Sequence, residues 1–131
     1  MLKIRATVKD STIHEAGLGL FALDKIHKGQ LIAEFDPKVD IQFNEEMLRI
    51  MPRNLQKYLM KYSYKSNGFY YLLSDYSRFM NHSLNPNCGQ SKDKTQDVAL
   101  RDIEAGEEIF CNYMEFDKED SDRTQIEKGK Y

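Results

Sequence analysis

The sequence predicts a mainly β domain of short strands with a short helical insert. Most of its apolar segments are short, rich in β-branched or aromatic residues, and bounded by turn residues, as is typical of strands. One longer segment, residues 44–62, has the apolar spacing of a helix. A weak internal repeat indicates that a unit of strand, glycine-containing turn and strand occurs twice. Because 131 residues leave room for one hydrophobic core, we expect a single domain.

The predicted strands begin near the N-terminus, where apolar and polar residues alternate strictly between Leu2 and Lys9. This period of two indicates a half-buried strand. The other predicted strands cover residues 20–23, 31–35, 69–76, 98–103 and 109–113. Residues 89–97 are polar and predict a loop. The domain is expected to cover residues 1–116, and the highly charged residues 117–131 predict a loose tail.

The internal repeat has the pattern Ala-Leu-x-x-Ile-x-x-Gly-x-x-Ile. It begins at Ala22 and again at Ala99, and positions 22 and 99 differ by 77, as do Ile32 and Ile109. We interpret each copy as a strand, a turn and a second strand. Because the copies share little more than apolar spacing and one glycine, chance similarity is the alternative explanation.

The predicted helices lie in an insert of about residues 36–68. Asn44 is suited to cap the first helix, because acidic residues follow it in the first turn, where the helix dipole favours them. Pro52 interrupts the apolar pattern, so we expect two short helices rather than one. Basic residues recur at every fourth position: Arg49, Arg53, Lys57, Lys61 and Lys65. This stripe is either a solvated face or a contact surface for an acidic partner such as nucleic acid.

Composition and charge exclude several classes of protein. Nineteen basic and 21 acidic residues give a net charge of −2, which does not favour a polyanion as the main partner of the whole chain. No apolar run approaches the ~20 residues that span a bilayer, and the first ten residues lack the apolar block of a signal peptide. Two cysteines are too few for a disulfide framework. We therefore expect an intracellular protein, cytoplasmic or nuclear and not secreted.

Three short motifs hold the residues that are best suited to chemistry. The first, Gly17-Leu18-Gly19-Leu20, allows a ligand to approach the backbone, although a tight turn is the commoner use of such glycines. The second runs from Arg78 to Cys88 and is Arg-Phe-Met-Asn-His-Ser-Leu-Asn-Pro-Asn-Cys, whose polar groups need partners wherever they are buried. The third, Ala-Gly-Glu-Glu-Ile-Phe-Cys-Asn-Tyr, predicts a turn and a strand that ends in Tyr113.

Two other chemistries fit these motifs poorly. His82 and Cys88 suggest a nucleophilic pair, but no oxyanion hole and no orienting acid other than Asp75 are evident. A zinc site of His82, Cys88 and Cys111 lacks the paired spacing of zinc ligands. A dinucleotide fingerprint and a P-loop both require glycines or a lysine that the first motif does not have.

In this order, the three motifs resemble those of the SET-domain protein lysine methyltransferases, from about Ala16 to Phe116. The resemblance implies a fold of short, curved β-sheets around a knot-like crossing. It also implies that S-adenosylmethionine donates the methyl group and leaves as S-adenosylhomocysteine. The residues that match the family's cofactor-binding positions are Gly17, Leu18, Gly19, Leu20, Asn81 and His82.

The resemblance also makes Tyr113 the expected catalytic residue, which positions the methyl transfer. We do not expect it to act as a general base, since a tyrosine hydroxyl ordinarily has a pKa near 10. A lysine is expected to enter opposite the cofactor through a channel lined by Cys111, Tyr70, Tyr71 and Phe116. Cys111 stands where the family typically has tyrosine or phenylalanine, so we expect room for two or three methyl transfers.

The implied substrate is a histone, a histone-like protein or another lysine-bearing protein. Nucleic acid is a further candidate partner, through Arg49, Arg53, Lys57 and Lys61, and no membrane partner is expected. Many relatives have a cysteine-rich segment that binds zinc and closes the channel, whereas residues 115–131 contain no cysteine and Leu84 replaces another common one. We therefore expect no metal. The alternative function is a catalytically inactive SET-like module that binds protein or nucleic acid.

Overall fold

The computed structural model describes residues 1–93 and 95–113, and it confirms the mainly β fold. The helices of this part are α1 (Glu45–Arg49), α2 (Arg53–Tyr62) and a 3₁₀ helix (Tyr76–Phe79). Its strands are β1 (Ala6–Asp10), β2 (Leu18–Ala22), β3 (Leu31–Glu34), β4 (Ile41–Phe43), β5 (Tyr64–Ser66), β6 (Phe69–Leu72), β7 (Asn81–His82), β8 (Cys88–Gln90), β9 (Gln96–Ala99) and β10 (Phe110–Cys111). Phe116 and the predicted tail at 117–131 lie outside the described residues.

The strands form three small sheets. An antiparallel pair joins β1 to β2, a five-stranded sheet has the order β3-β9-β8-β10-β7, and a three-stranded sheet has the order β4-β6-β5. The main core includes apolar side chains that are wholly shielded from solvent, among them Leu20, Ile32, Cys88, Ile103 and Ile109. Burial of such side chains contributes about 1.5–3 kcal/mol each, which is the main stabilisation of this small domain.

The C-terminal strand β10 makes the threaded crossing. It lies between β7 and β8 and is parallel to both, with Phe110 opposite Asn81, and Cys111 opposite His82 on one side and Cys88 on the other. Because β7 and β8 are joined by residues 83–87 alone, this loop must cross over β10. Asn87 stabilises the crossing from within: its fully buried side chain donates to the Glu108 carbonyl at 2.9 Å and accepts from the Phe110 N–H at 2.8 Å.

The internal repeat is a structural one, because its two copies pair with each other symmetrically. Ile26 and Ile103, which are equivalent positions, exchange two backbone hydrogen bonds of 2.8 Å. The N–H of Gly29 donates to the Ala99 carbonyl, and the equivalent N–H of Gly106 donates to the Ala22 carbonyl, also at 2.8 Å. The bridge between Phe21 and Glu108 likewise repeats the pair of Val98 and Leu31. Chance similarity does not account for this reciprocity.

The insert is a small unit with its own core. Asn44 caps α1 by accepting from the Met47 N–H at 2.8 Å, and Pro52 separates α1 from α2, as predicted. Strands β4, β5 and β6 pack with the helices around a cluster of buried residues: Phe43, Leu48, Leu59, Tyr70 and Leu72. The helix periodicity thus identified the helices, but the sheet of the insert was not predicted as a unit.

Several predicted strand boundaries were wrong. Strands β8 and β9 occupy both ends of the loop predicted at residues 89–97, and β9 ends at Ala99 rather than at residue 103. The first strand pairs from Ala6 rather than Leu2, because its partner β2 ends at Ala22, and Leu2 forms a bridge to Ala33 instead. The predicted strand 69–76 ends at Leu72. The chain then turns into the 3₁₀ helix, where the Asp75 carboxylate accepts from the Ser77 N–H at 3.0 Å.

Among the helices of the described residues, none has both the length and the apolar character that a membrane span requires.

Candidate active site

Asn81 connects the first two motifs. Its side-chain Nδ2 donates to the Leu18 carbonyl at 2.9 Å and to Oε2 of Glu108 at 3.2 Å. An asparagine amide has two N–H groups, and these two bonds use both. The Oδ1 atom is therefore the part of the Asn81 side chain that is suited to a ligand, and it is an acceptor.

Glu108 is the anchor of this site and was missed as a functional residue by the sequence analysis. Its side chain is 4% exposed, yet its carboxylate accepts from the N–H and hydroxyl of Thr12 at 2.6 and 2.7 Å, and from the Ser11 hydroxyl at 2.8 Å. Burial acts to raise the pKa of Glu108, but the hydrogen bonds from Thr12, Ser11 and Asn81 outweigh it and hold this pKa below its usual range. The buried carboxylate therefore stays ionised and joins three segments of the chain.

Gly19 is required because the backbone passes directly against this carboxylate. A Cβ atom at position 19 would lie 2.5 Å from Oε2 of Glu108 and 3.3 Å from Nδ2 of Asn81. No side chain fits at that distance without moving Glu108, which is held by several hydrogen bonds. The second glycine of the first motif thus serves close packing.

Gly17 has a different role in the same motif. Its φ angle is +80°, a conformation that favours glycine, and a Cβ atom there would meet nothing within 4 Å. The segment that contains it, residues 12–18, is exposed. The space beside the Gly17 backbone is therefore open, and ligand binding there stays a prediction.

His82 and Tyr113 form the other side of the site. The N–H of Tyr113 donates to Nδ1 of His82 at 3.1 Å, and the two rings lie 5.3 Å apart. Since Nδ1 accepts this bond, the neutral imidazole carries its proton on Nε2, which makes Nε2 the donor of the ring. The Tyr113 hydroxyl donates its hydrogen to the Met80 carbonyl, so towards any other group its oxygen can act only as an acceptor.

The predicted channel residues are not all brought together. Cys111 is buried in the main core, against which Tyr113 also packs. Tyr70 instead lies in the core of the insert, where its ring stacks on Phe43 at 5.1 Å and its hydroxyl donates to Glu45 at 2.8 Å.

Tyr71 follows Tyr70 in β6, so its side chain points to the opposite face of the strand. There its ring stacks on Tyr64 at 5.3 Å and meets the edge of Phe35 at 5.2 Å. The two tyrosines therefore cannot line one channel together from this strand. The fourth predicted channel residue, Phe116, lies outside the described residues.

The donors and acceptors of the site fit S-adenosylmethionine, which has an amine, a carboxylate and an adenine ring to bind. The open backbone beside Gly17 and Oδ1 of Asn81 provide both kinds of group, since a backbone has donors and acceptors and Oδ1 is an acceptor. Across residues 1–93 and 95–113, no group of three or more histidine, cysteine or acidic side chains is arranged to hold a metal ion.

A threaded β fold with a glycine-containing strand, an Asn-His strand and a tyrosine after the crossing strand defines the class of SET domains. The family model for the SET domain matches residues 17–114, and the chain belongs to this family.

Solved structures give the same fold. A Plasmodium falciparum protein that is provisionally assigned as a histone methyltransferase is 25% identical, with a TM-score of 0.58 over 83% of this chain and 96% of that chain. The polycomb repressive complex 2 of Chaetomium thermophilum, in an autoinhibited conformation bound to S-adenosylmethionine, is 23% identical, with a TM-score of 0.68 over 93% of this chain. The match covers only 17% of that polycomb chain. No curated protein sequence matches this chain.

Proposed function

We propose that this chain is an S-adenosylmethionine-dependent protein-lysine N-methyltransferase. The observation that carries the proposal is the position of Tyr113, whose hydroxyl is fixed by the Met80 carbonyl and whose backbone is bonded to His82. Membership of the SET family supports it, as does the Plasmodium neighbour, because both imply methyl transfer. The S-adenosylmethionine in a polycomb neighbour supports the choice of cofactor.

The cofactor would be held by the backbone of Gly17 to Leu20 and by the side chains of Asn81 and His82. S-adenosylmethionine, when bound, supplies an electrophilic methyl group on a sulfonium. Glu108 keeps its binding residues in place, because it fixes Asn81 on one side and the segment of Ser11 and Thr12 on the other. These contacts orient the reactants before the reaction, which reduces the entropic part of the barrier.

Tyr113 orients the lysine amine. Because its hydroxyl hydrogen is bonded to Met80, the oxygen accepts a hydrogen from the neutral amine and directs the nitrogen lone pair away from the tyrosine. Only the neutral amine is nucleophilic, and exclusion of water together with a nearby positive charge lowers the pKa of a lysine. The amine then loses a proton to solvent after transfer, so no strong base is required of the protein.

We further propose that the substrate is a protein of intracellular location, with histones and histone-like proteins as the first candidates. The Plasmodium neighbour, which is named as a histone methyltransferase, supports this choice. A buried Cys111 beside Tyr113 supports the addition of two or three methyl groups, because a thiol is smaller than the ring of tyrosine or phenylalanine and is a weak hydrogen-bond partner.

The test is methyl transfer from heavy-methyl S-adenosylmethionine to histones and to a cell lysate, read by mass spectrometry. We expect labelled lysine with the native chain and a loss of about 10²–10³-fold in rate with Tyr113→Phe, which removes one positioned hydroxyl. Tyr76→Phe, at an exposed tyrosine to which no part of the site is assigned, is the matched control and should retain its rate. Equal rates for Tyr113→Phe and the native chain would contradict the catalytic assignment, and binding of protein without any transfer would favour the inactive module.

The cofactor site has its own test by calorimetry. Asn81→Ala should weaken S-adenosylmethionine binding by about 1–3 kcal/mol, with folding checked by circular dichroism. Unchanged affinity in a folded Asn81→Ala variant would contradict its role.

The product distribution tests Cys111, since exclusive monomethylation by the native chain would show that another residue limits the site. Cys111→Tyr should shift the product towards one methyl group, although overpacking costs about 1–3 kcal/mol.

A further inference from the structure

The positive charge of the chain is concentrated in the insert. Residues 49–74 contain five basic residues and no acidic residue, whereas the whole chain has a net charge of −2. The remainder is therefore strongly negative. This segregation places helix α2 and the strands after it in a stretch of sequence that attracts anions, whereas α1 begins with Glu45 and Glu46.

Helix α2 presents three of these cations on its exposed side. Arg53, Lys57 and Lys61 are exposed, while Leu59 is buried on the other side of the helix in the core of the insert. Residues four apart rise by about 6 Å along a helix and drift by about 40° around it, so the three side chains form one slowly winding row. We call this row the α2 basic face.

The cations of the α2 basic face have no ion-pair partner among the described residues. Elsewhere, four basic side chains lie within 4 Å of a carboxylate: Lys3, Arg5, Lys25 and Arg101. Over the described ranges 1–93 and 95–113, no ion pair involves Arg53, Lys57 or Lys61. Their charge is therefore available to a partner.

The α2 basic face is rigidly connected to the candidate active site. The guanidinium of Arg78 donates to the Tyr58 hydroxyl of α2 at 3.0 Å and lies 5.7 Å from the centre of the Tyr62 ring. Arg78 belongs to the 3₁₀ helix that directly precedes Met80 and Asn81. A partner bound to α2 would therefore lie on a helix that is hydrogen-bonded to the segment just before Asn81.

We propose that the α2 basic face binds the phosphate backbone of duplex nucleic acid. Cations at regular intervals suit a row of phosphates, with Asn54, Leu55 and Tyr58 as the other exposed residues between them. The centre of a protein interface is normally depleted in charged residues, whereas the row itself consists of the cations Arg53, Lys57 and Lys61. Tyr58 packs on Tyr62 at 5.0 Å and is bonded to Arg78, so it is not placed to stack on an unpaired base.

This inference goes beyond methyl transfer and is tested without it, by fluorescence anisotropy with a labelled 20-base-pair DNA duplex. The native chain should bind, and its affinity should fall as salt rises from 50 to 200 mM. The variant Lys57→Gln/Lys61→Gln removes two expected phosphate contacts. At 0.1 M salt it should bind roughly 10- to 60-fold more weakly, and the slope of log K against log salt should become shallower by about 1.8.

The matched control is Lys28→Gln/Lys92→Gln, which removes the same charge from exposed positions outside the insert. It should change affinity less than twofold. An equal loss in the two double variants, or no binding of the native chain at 50 mM salt, would overturn the proposal. So would displacement of the duplex by a polyglutamate peptide at equal charge concentration, because it would assign the α2 basic face to acidic proteins.

Discussion

The two copies of the internal repeat have the same backbone pairing but differ at two positions where the second region has a carboxylate and the first has a leucine. Position 108 is glutamate in the second copy, where the first copy has Leu31. Residues 20 and 97, which precede the copies by two residues each, are also equivalent, and here Leu20 corresponds to Asp97. One symmetric backbone frame thus contains two carboxylates, each in place of a leucine.

The two carboxylates behave in opposite ways. Glu108 accepts hydrogen bonds from Thr12, Ser11 and Asn81, and its pKa lies below the usual range. No residue in the described parts of the chain donates a hydrogen bond to the Asp97 carboxylate, and burial raises its pKa to about 7. The comparison teaches that local donors, rather than burial, decide whether a carboxylate in this frame stays charged.

The largest expected effect comes from making the second copy like the first. Glu108→Leu removes the acceptor of the Thr12, Ser11 and Asn81 donors, and we expect a loss of about 3 kcal/mol in the free energy of unfolding. Leu31→Ala, at the equivalent half-buried position, should cost about 1–2 kcal/mol. Urea unfolding measures both, and calorimetry should show that only Glu108→Leu also weakens S-adenosylmethionine binding. Similar effects of the two variants on cofactor binding would remove the distinction between the copies.

A smaller effect tests the close packing of Gly19 on Glu108. Gly19→Ala should cost about 2 kcal/mol, because its Cβ would lie 2.5 Å from the carboxylate oxygen. Gly17→Ala places its Cβ in open space and should cost only about 1 kcal/mol, from its positive φ. Thermal unfolding of the two variants is the measurement. A less stable Gly17→Ala protein would show that backbone conformation, not packing, dominates in this motif.

The third prediction concerns the pH dependence of stability. Because the pKa of Asp97 is raised to about 7 in the folded chain, the Asp97 carboxylate binds a proton more tightly in the folded chain than in the unfolded chain. Asp97 should therefore reduce stability progressively as pH rises from about 4 to 7, by about 1–2 kcal/mol for a partly accessible group.

Asp97→Asn should abolish that decline, as measured by urea unfolding at each pH. Glu108 affects the pH dependence of stability in the opposite direction. Because its pKa is lowered in the folded chain, its carboxylate stabilises the fold at pH values above the usual pKa of glutamate. This stabilisation is lost as the pH falls through the pKa of Glu108 in the folded chain. Glu108→Gln should remove this loss of stability at acidic pH. A decline between pH 4 and 7 that persists in Asp97→Asn would locate the raised pKa elsewhere.

The smallest effect tests the symmetry itself. Gly29 and Gly106 are equivalent, with φ angles of +84° and +88°, and a Cβ on either would meet nothing within 4 Å. Alanine at either position should therefore cost about the same, roughly 1 kcal/mol, in thermal unfolding. Costs that differ by more than 1 kcal/mol would show that the two turns are not equivalent energetically.

Much of this architecture was predictable from local patterns. The break at Pro52, the cap at Asn44 and the 77-residue offset of the repeat are all visible in the sequence and all occur in the fold. The three motifs indicated the SET family before any coordinates. The separation of Tyr70 from Tyr71 also follows from the period of two in a strand, although the sequence analysis grouped them in one channel.

The sequence by itself determined the family, the helices of the insert and the concentration of positive charge between residues 49 and 74, because these depend on residue type and on spacing along the chain. Only the tertiary structure decided that Glu108 holds Asn81 against the first motif, since those residues are brought together from distant parts of the chain. It likewise decided that Glu108 is charged while Asp97 takes up a proton near neutral pH. The pKa of a buried carboxyl depends on which donors surround it, and no pattern of neighbours in sequence specifies those donors.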